Sequence, residues 1–277
     1  LKKDLVPVVA GFQGVSHTHE VTTLGRGGSD LTAVAIADAL KAKECQIYTD
    51  VDGVYTSDPH VVDRVRRHLD IGIDQVLELS SLGAKVLQNR CLLYAAESKV
   101  PVRVLSSFEK GPGTSVSYST IDADRSSVQG ISLERSQAKV TLQDIRHRPG
   151  LASFILGPMS QAGIALDMFV QNTQGADQST TLSFTVGSVD LARVLSVVTA
   201  VNQQLMATVV TRDAIAKLSL VGVGLRTHLG VASKMLSALG KEGVDVHLIS
   251  ASEIKISVLV DEEAIELGAR VLHQAFD

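Results

Sequence analysis

The stretch Thr22-Thr23-Leu24-Gly25-Arg26-Gly27-Gly28-Ser29-Asp30 concentrates groups suited to holding an anion. Gly25, Gly27 and Gly28 let the backbone approach a ligand closely and take up positive φ. Ser29 or Asp30 is expected to cap a helix over residues 31–40, whose first-turn N–H groups and dipole favour negative charge. Arg26 adds a planar fork matched to a carboxylate or phosphate. A second group lies in Asp50-Val51-Asp52-Gly53-Val54-Tyr55-Thr56-Ser57-Asp58-Pro59, where carboxylates alternate with turn formers. Alone this reads equally as a structural hairpin. Beside a glycine loop, a nucleotide or metal contact becomes the better reading.

Two further groups carry relevant chemistry. Lys85 is a lone cation in the apolar run Leu82-Gly83-Ala84-Lys85-Val86-Leu87; it can snorkel to solvent or meet a phosphate. His17, His19 and Glu20 have metal-ligand chemistry, but their polar surroundings read as a solvated loop, and no metal site is expected. There is no G-x-x-x-x-G-K-[ST] and no G-x-G-x-x-G after a strand, which excludes the common phosphate loops.

The elements that must position these groups follow the pattern strand, helix, strand. Leu5-Val6-Pro7-Val8-Val9-Ala10 reads as a buried strand ending at Gly11-Phe12, and residues 44–50 as a second. Their order predicts a parallel α/β sheet with ligands beyond the strands' carboxyl ends, which puts the glycine loop and the acidic stretch on one rim. Helices are expected at 73–79 and 81–91, and a strand at 101–105. The 277 residues allow two or three compact units. A net charge of −4 gives no reason to expect nucleic acid or an anionic membrane, and no apolar run reaches transmembrane length. Cys45 and Cys91 sit in apolar surroundings and read as reduced core residues of a cytoplasmic protein.

Beyond residue 128 the chain repeats itself. Ala138-Lys139-Val140-Thr141-Leu142 matches Ala216-Lys217-Leu218-Ser219-Leu220, and Ala162-Gly163-Ile164-Ala165-Leu166 answers Glu242-Gly243-Val244-Asp245-Val246. Each copy reads as strand, glycine turn, helix and strand, with a further strand and second helix at 190–205 and 262–276. This predicts two ferredoxin-like βαββαβ units.

The two glycine-rich and acidic motifs, together with Ser81-Leu82-Gly83-Ala84-Lys85 and the tandem repeat, resemble aspartate kinase (aspartokinase), of the amino-acid-kinase fold with tandem ACT domains. The resemblance covers essentially the whole chain. It implies a carboxyl-terminal part of the kinase domain at residues 1–120, a first ACT domain at 138–214, and a second built from 128–137 and 215–277 around it. It further implies phosphorylation of the L-aspartate side chain by ATP with Mg²⁺, giving 4-phospho-L-aspartate, at the entry to lysine, threonine, methionine and diaminopimelate synthesis. Matched by motif, Phe12, Arg26, Gly28, Ser29 and Asp30 would surround aspartate. Thr49, Asp50, Tyr55, Asp58, His60 and Lys85 would hold the nucleotide. Lysine and/or threonine would bind at Asp167, Gln171 and Asn172, with Asp245, Val246, Ser252 and Glu253 from the other unit; Asp167 could take the effector's ammonium. Pairing of ACT domains would give a homodimer or hetero-oligomer.

Three departures qualify the match. His60 follows Asp58-Pro59 where relatives commonly carry Arg, and His147 stands where lysine-controlled relatives often have Asp. The chain opens with Leu1 rather than Met, and the family's Lys-Phe-Gly-Gly motif does not occur in it. It therefore reads as the interior of a larger protein and is expected to be catalytically impaired by itself. The alternative is a non-catalytic, amino-acid-binding regulatory subunit of such an enzyme.

Overall fold

The computed structural model describes residues 5–83, 87–118, 128–174, 179–222, 224–225 and 230–276. A short antiparallel hairpin, β1 (Gln13–Val15) and β2 (Val21–Thr23), leads into helix α1 (Gly28–Ala39). A four-stranded sheet follows, built from β3 (Cys45–Thr49), β4 (Asp70–Gly72), β5 (Val102–Ser106) and β6 (Thr114–Ser117). Its order is β3-β5-β6-β4. The β3–β5 and β4–β6 pairs are parallel and β5–β6 is antiparallel. Helices α2 (Ile73–Ser81) and α3 (Asn89–Ser98) pack with α1 through Val76, Leu79, Cys91, Leu92 and Val34 into one core with Ile47, Val102 and Val104.

Three expectations are corrected here. Residues 5–10 form no strand: Leu5, Val6, Val8 and Val9 are exposed, Val8 by 96%. An apolar run becomes a buried strand only when neighbours cover it, and none among the described residues pairs with this one. The helix after the glycine loop starts at Gly28, with Gly27 as its left-handed cap, so Ser29 and Asp30 lie inside the first turn and neither caps it. Of the expected helix at 81–91, the described residues place Ser81 as the last residue of α2 and start α3 at Asn89. Gly83, at φ 104°, takes the left-handed conformation that closes α2 after Leu82, whose carbonyl accepts a bond from Ser132 Oγ at 2.6 Å. In addition, the Gly111-Pro112-Gly113 break turns the chain back into the same sheet. Gly113 has φ 64°, and a Cβ there would stand 2.0 Å from the Val104 carbonyl oxygen.

The remainder forms one six-stranded sheet, order β11-β12-β10-β7-β9-β8, covered by four helices. The strands are β7 (Val128–Arg146), β8 (Phe169–Gln174), β9 (Ser179–Gly187), β10 (Thr208–Gly222), β11 (Leu248–Ala251) and β12 (Lys255–Asp261). The helices are α4 (Leu151–Gln161), α5 (Leu191–Leu205), α6 (Val231–Lys241) and α7 (Ile265–Phe276). The long strands β7 and β10 serve both repeats. The second half of β7 with β8, β9 and the first half of β10 gives the order 4-1-3-2 of a ferredoxin-like unit. The second half of β10 with β11, β12 and the first half of β7 gives that order again. The register shifts around Ile215, and Ser136 and Ala214 take positive φ of 57° and 51°, where the two halves meet.

Each half is packed the same way, because each helix carries apolar residues at the spacing of one face. Leu151, Ile155 and Met159 of α4 and Val194 and Val198 of α5 meet Val140, Leu142, Leu182 and Phe184. Val231, Met235 and Leu239 of α6 and Ile265, Ala269 and Leu272 of α7 meet Leu218, Leu220, Val258 and Val260. The buried hydroxyls repeat as well: Thr141 bonds Ser183 at 3.0 Å and Ser219 bonds Ser257 at 2.8 Å. Among the described residues no helix is long and apolar enough to cross a membrane.

Candidate functional site

Glycine-loop residues and Gly11-Phe12 come together at the start of α1. Phe12 has φ 69°, a backbone conformation that bulky side chains rarely adopt. Its carbonyl accepts the Leu24 N–H at 2.9 Å, which ties the two segments. A Cβ on Gly28 would lie 3.2 Å from the Phe12 ring, and one on Gly11 would lie 3.3 Å from Ser29 Oγ, so both glycines permit close approach. Local strain of this kind persists where surrounding structure enforces it, and such places are often functional. Phe12, Gly28 and Ser29 are thus neighbours, with Asp30 in the same helical turn. Burial pushes the Asp30 carboxyl up from its ordinary value. Arg26 is exposed and makes no ion pair among the described residues, leaving its fork open at the helix N-terminus.

The short 40–44 connection makes α1 and β3 run antiparallel, so the N-terminus of α1 lies toward the carboxyl end of β3, where Thr49 and Asp50 stand. Thr49 Oγ1 donates to the Asp50 carboxylate at 3.0 Å. Beyond Asp50 the acidic stretch folds back on itself. Tyr55 forms a bridge with Arg67, and Thr56 N–H donates to the Arg66 carbonyl at 2.9 Å. Asp52 receives the Tyr55 hydroxyl and the Arg67 guanidinium. The Tyr55 bond, aided by Arg67, holds the Asp52 carboxyl below its ordinary value, and the same bond raises Tyr55. Tyr55 is therefore engaged within the loop through its hydroxyl. Asp58 accepts from the His60 backbone N–H at 2.9 Å and lies 3.1 Å from His60 Nδ1 on the exposed surface. Lys85 lies outside the described residues.

The candidate effector residues fall at the edges of the six-stranded sheet. Gln171 and Asn172 are exposed on β8, and Asp245 is exposed beside the partly buried Val246. Ser252 Oγ accepts the Lys255 N–H at 3.2 Å, and the Glu253 carbonyl accepts the Leu225 N–H at 2.9 Å. Asp167 is not free for an incoming ammonium: it is bonded to the ammonium of Lys217, which is 2% exposed and also pairs with Glu134 at 2.6 Å. Sequence reasoning missed Lys217 and Glu134, although a lysine inside the apolar strand Ala216-Lys217-Leu218 was a signal. It also missed Arg67, one of a basic run that neutralises the acidic loop. Cys45 and Cys91 are free and buried, and burial pushes the Cys91 thiol up to about 12.

Two family models match: the amino acid kinase family over residues 1–106 and the ACT domain over residues 218–276. The aspartokinase of Pseudomonas aeruginosa is 49% identical over the whole chain, which covers 68% of that relative. Among solved structures, the aspartate kinase of Clostridium acetobutylicum superposes with TM-score 0.85 at 24% identity, over 96% of this chain and 62% of that one. E. coli aspartokinase III in complex with aspartate and ADP superposes with TM-score 0.78 at 30% identity, over 96% of this chain and 59% of that one. The same enzyme in complex with lysine and aspartate gives 0.74 at 31%, again over 96% of this chain and 59% of that one. The chain thus spans about two thirds of the length of its relatives. A mixed, partly parallel sheet joined to a duplicated ferredoxin-like sheet, with relatedness along the entire chain, has one consistent reading: the chain belongs to the aspartokinase family.

Proposed function

We propose that this chain serves the ATP-dependent phosphorylation of the side-chain carboxylate of L-aspartate, giving 4-phospho-L-aspartate for lysine, threonine and methionine synthesis. The observation that carries this reading is the left-handed Phe12 packed over Gly28 at the start of α1, close in sequence to Arg26, which makes no ion pair among the described residues. It makes a walled anion site at a helix N-terminus, in a member of a family solved with aspartate and ADP bound. Arg26 holds a carboxylate of aspartate, and Ser29 and the first-turn N–H groups of α1 face the same end of the molecule. Thr49, Asp50, Tyr55, Asp58 and His60 border the nucleotide. Such a site works by orientation and charge neutralisation, without a covalent intermediate.

Mg²⁺ enters with the nucleotide. Among the described residues no group of three His, Cys, Asp or Glu side chains converges on a metal. Mg²⁺ is commonly held by phosphate oxygens with one or two carboxylates, for which exposed Asp50 has the right chemistry. Residues 1–120 form the kinase portion, 138–214 one regulatory unit, and 128–137 with 215–277 the other. Lysine and/or threonine binds at the exposed edges of β8 and β11, where a second copy or a longer partner chain completes the site. The E. coli relative solved with lysine supports lysine as one effector.

Titration calorimetry tests this on the full chain. Arg26→Ala is expected to weaken aspartate binding at least tenfold while leaving ADP affinity and lysine or threonine affinity unchanged. An aspartate affinity indifferent to Arg26→Ala would remove the acceptor assignment. No heat with either effector at millimolar concentration would remove the regulatory one.

A further inference from the structure

The two sheets meet at the acidic loop, and one side chain there belongs to neither the acceptor site nor the effector edges. His273 lies on α7 and is 6% exposed. Its Nε2 stands 3.0 Å from Thr56 Oγ1, a residue 217 positions away that directly follows Tyr55. Thr56 is itself 7% exposed and is held on every side. Its N–H donates to the Arg66 carbonyl, its hydroxyl oxygen accepts the Arg66 N–H at 3.0 Å, and its carbonyl accepts the Ile131 N–H of β7 at 2.8 Å. A threonine hydroxyl has one proton to give. With Arg66 N–H already directed at the oxygen, that proton is free to be donated to His273 Nε2, and both groups are then satisfied.

The return arm of the same loop is also seated on the second repeat. Val62 is 3% exposed and packs in one core with Leu218, Leu220, Val258 and Leu272, and the Val61 carbonyl lies 3.4 Å from Arg270 of α7. The other end is anchored in the four-stranded sheet: Val54 N–H donates to Thr114 Oγ1 at 2.9 Å, and Thr114 Oγ1 donates to the His68 carbonyl at 2.6 Å. The loop therefore spans both bodies. A small cleft of ≈ 20 Å³ lies at the seam, lined by Thr56, Arg66, Gln129, Gly130, His273 and Phe276 among others. It is remote in the chain from Arg26 and smaller than the roughly 300–1,000 Å³ of small-molecule sites. This is a joint between two bodies.

We propose that His273 is a positioning residue for the nucleotide loop. Through Thr56 Oγ1, the last helix of the second repeat fixes the conformation of residues 50–58, and this bond transmits the repeat's state to nucleotide affinity. The inference deepens the function proposed above and rests on it for the identity of the loop's ligand. Thr56→Val removes the hydroxyl at nearly constant volume, and Thr56→Ser keeps it. His273→Leu removes the ring nitrogens, and His273→Gln keeps a polar side-chain end.

Hydrogen–deuterium exchange reads the loop directly, and calorimetric titration of ADP with and without lysine or threonine reads the consequence. Thr56→Val and His273→Leu are each expected to speed exchange across residues 50–68 and weaken ADP binding about 5–10-fold. The double variant should lose no more than either single one. Thr56→Ser should restore both readouts, and the influence of the effector on ADP affinity should shrink in the Val and Leu variants. Exchange unchanged over 50–68 in folded Thr56→Val would overturn the proposal. So would faster exchange spread equally over α7 and β7, since that marks general destabilisation. A wild-type chain that binds no ADP would count against the nucleotide reading, and the exchange result would still decide the role of His273.

Discussion

The ammonium of Lys217 supplies the sharpest energetic test of how the two repeats are joined. It is buried in the middle of β10 and contacted by Glu134 of β7 and by Asp167 from the turn before β8. At an effective dielectric of about 20, an ion pair at the 2.6 Å of Lys217–Glu134 attracts by about 6 kcal/mol, and desolvating the ammonium costs several kcal/mol. The two carboxylates are 31% and 38% exposed, so water relieves part of their repulsion once the cation is gone. Lys217→Met keeps the aliphatic packing and removes the charge; it should therefore cost about 2–3 kcal/mol, below the roughly 3–5 kcal/mol of a fully buried broken pair. In a chain of this size that lowers the transition of the regulatory sheet by about 4–12 °C, read by calorimetry because two bodies need not unfold together.

The pH dependence gives the sign. Burial pulls the Lys217 pKa down, but the bonds to Asp167 and Glu134 more than offset it and leave it above its ordinary value. A raised folded pKa means stability fully present below the unfolded value, about 10.4, and lost as pH rises through the folded one. The difference between wild type and Lys217→Met should stay constant from neutral pH to about 9 and close in more alkaline solution. A Lys217→Met chain as stable as wild type at pH 7 would refute the reasoning, because desolvation would then cancel the attraction.

Three further outcomes follow from local packing. Gly113→Ala forces a Cβ to 2.0 Å from the Val104 carbonyl oxygen at φ 64° and should destabilise the four-stranded sheet by about 2–4 kcal/mol. Gly157→Ala, in a helix with nothing within 4 Å of the added carbon, should instead gain about 0.5–1 kcal/mol; thermal denaturation of the pair checks both. Ser57 is 6% exposed and its hydroxyl has no partner among the described residues, so Ser57→Ala should stabilise the chain by about 1 kcal/mol in a urea titration, and a loss of stability would show that the hydroxyl is satisfied.

Local pattern made the helices of the repeats legible, because α4 and α6 show their apolar face within one element. It made β3, β5 and the glycine loop legible for the same reason. It misled at residues 5–10, where a continuous apolar run says only that burial would be favourable, while burial itself depends on neighbours elsewhere. The end of α2 has a local cause, Gly83 at φ 104° just past Leu82, which the apolar run around it masked.

The joint between the repeats shows most clearly what repetition in sequence conceals. Lys217 and Lys139 occupy matching positions in the two copies, as do Asp167 and His247. Each lysine faces the other long strand within its own unit: Lys217 pairs in register with Glu134, and Lys139 with Arg212. One crossing therefore brings an ammonium between two carboxylates, while its counterpart sets two cations side by side next to His247. Asp261 answers there instead, 2.8 Å from Arg212 and 3.0 Å from His247 Nε2, and these contacts hold its carboxyl below the ordinary value. Aligning the copies shows that Asp became His. Only the crossing of β7 and β10 shows what each one meets: Lys217 with Glu134 at Asp167, and Lys139 with Arg212 at His247. The two crossings are alike in backbone and differ in charge: an ammonium between two carboxylates at one, and two cations beside His247 answered by Asp261 at the other.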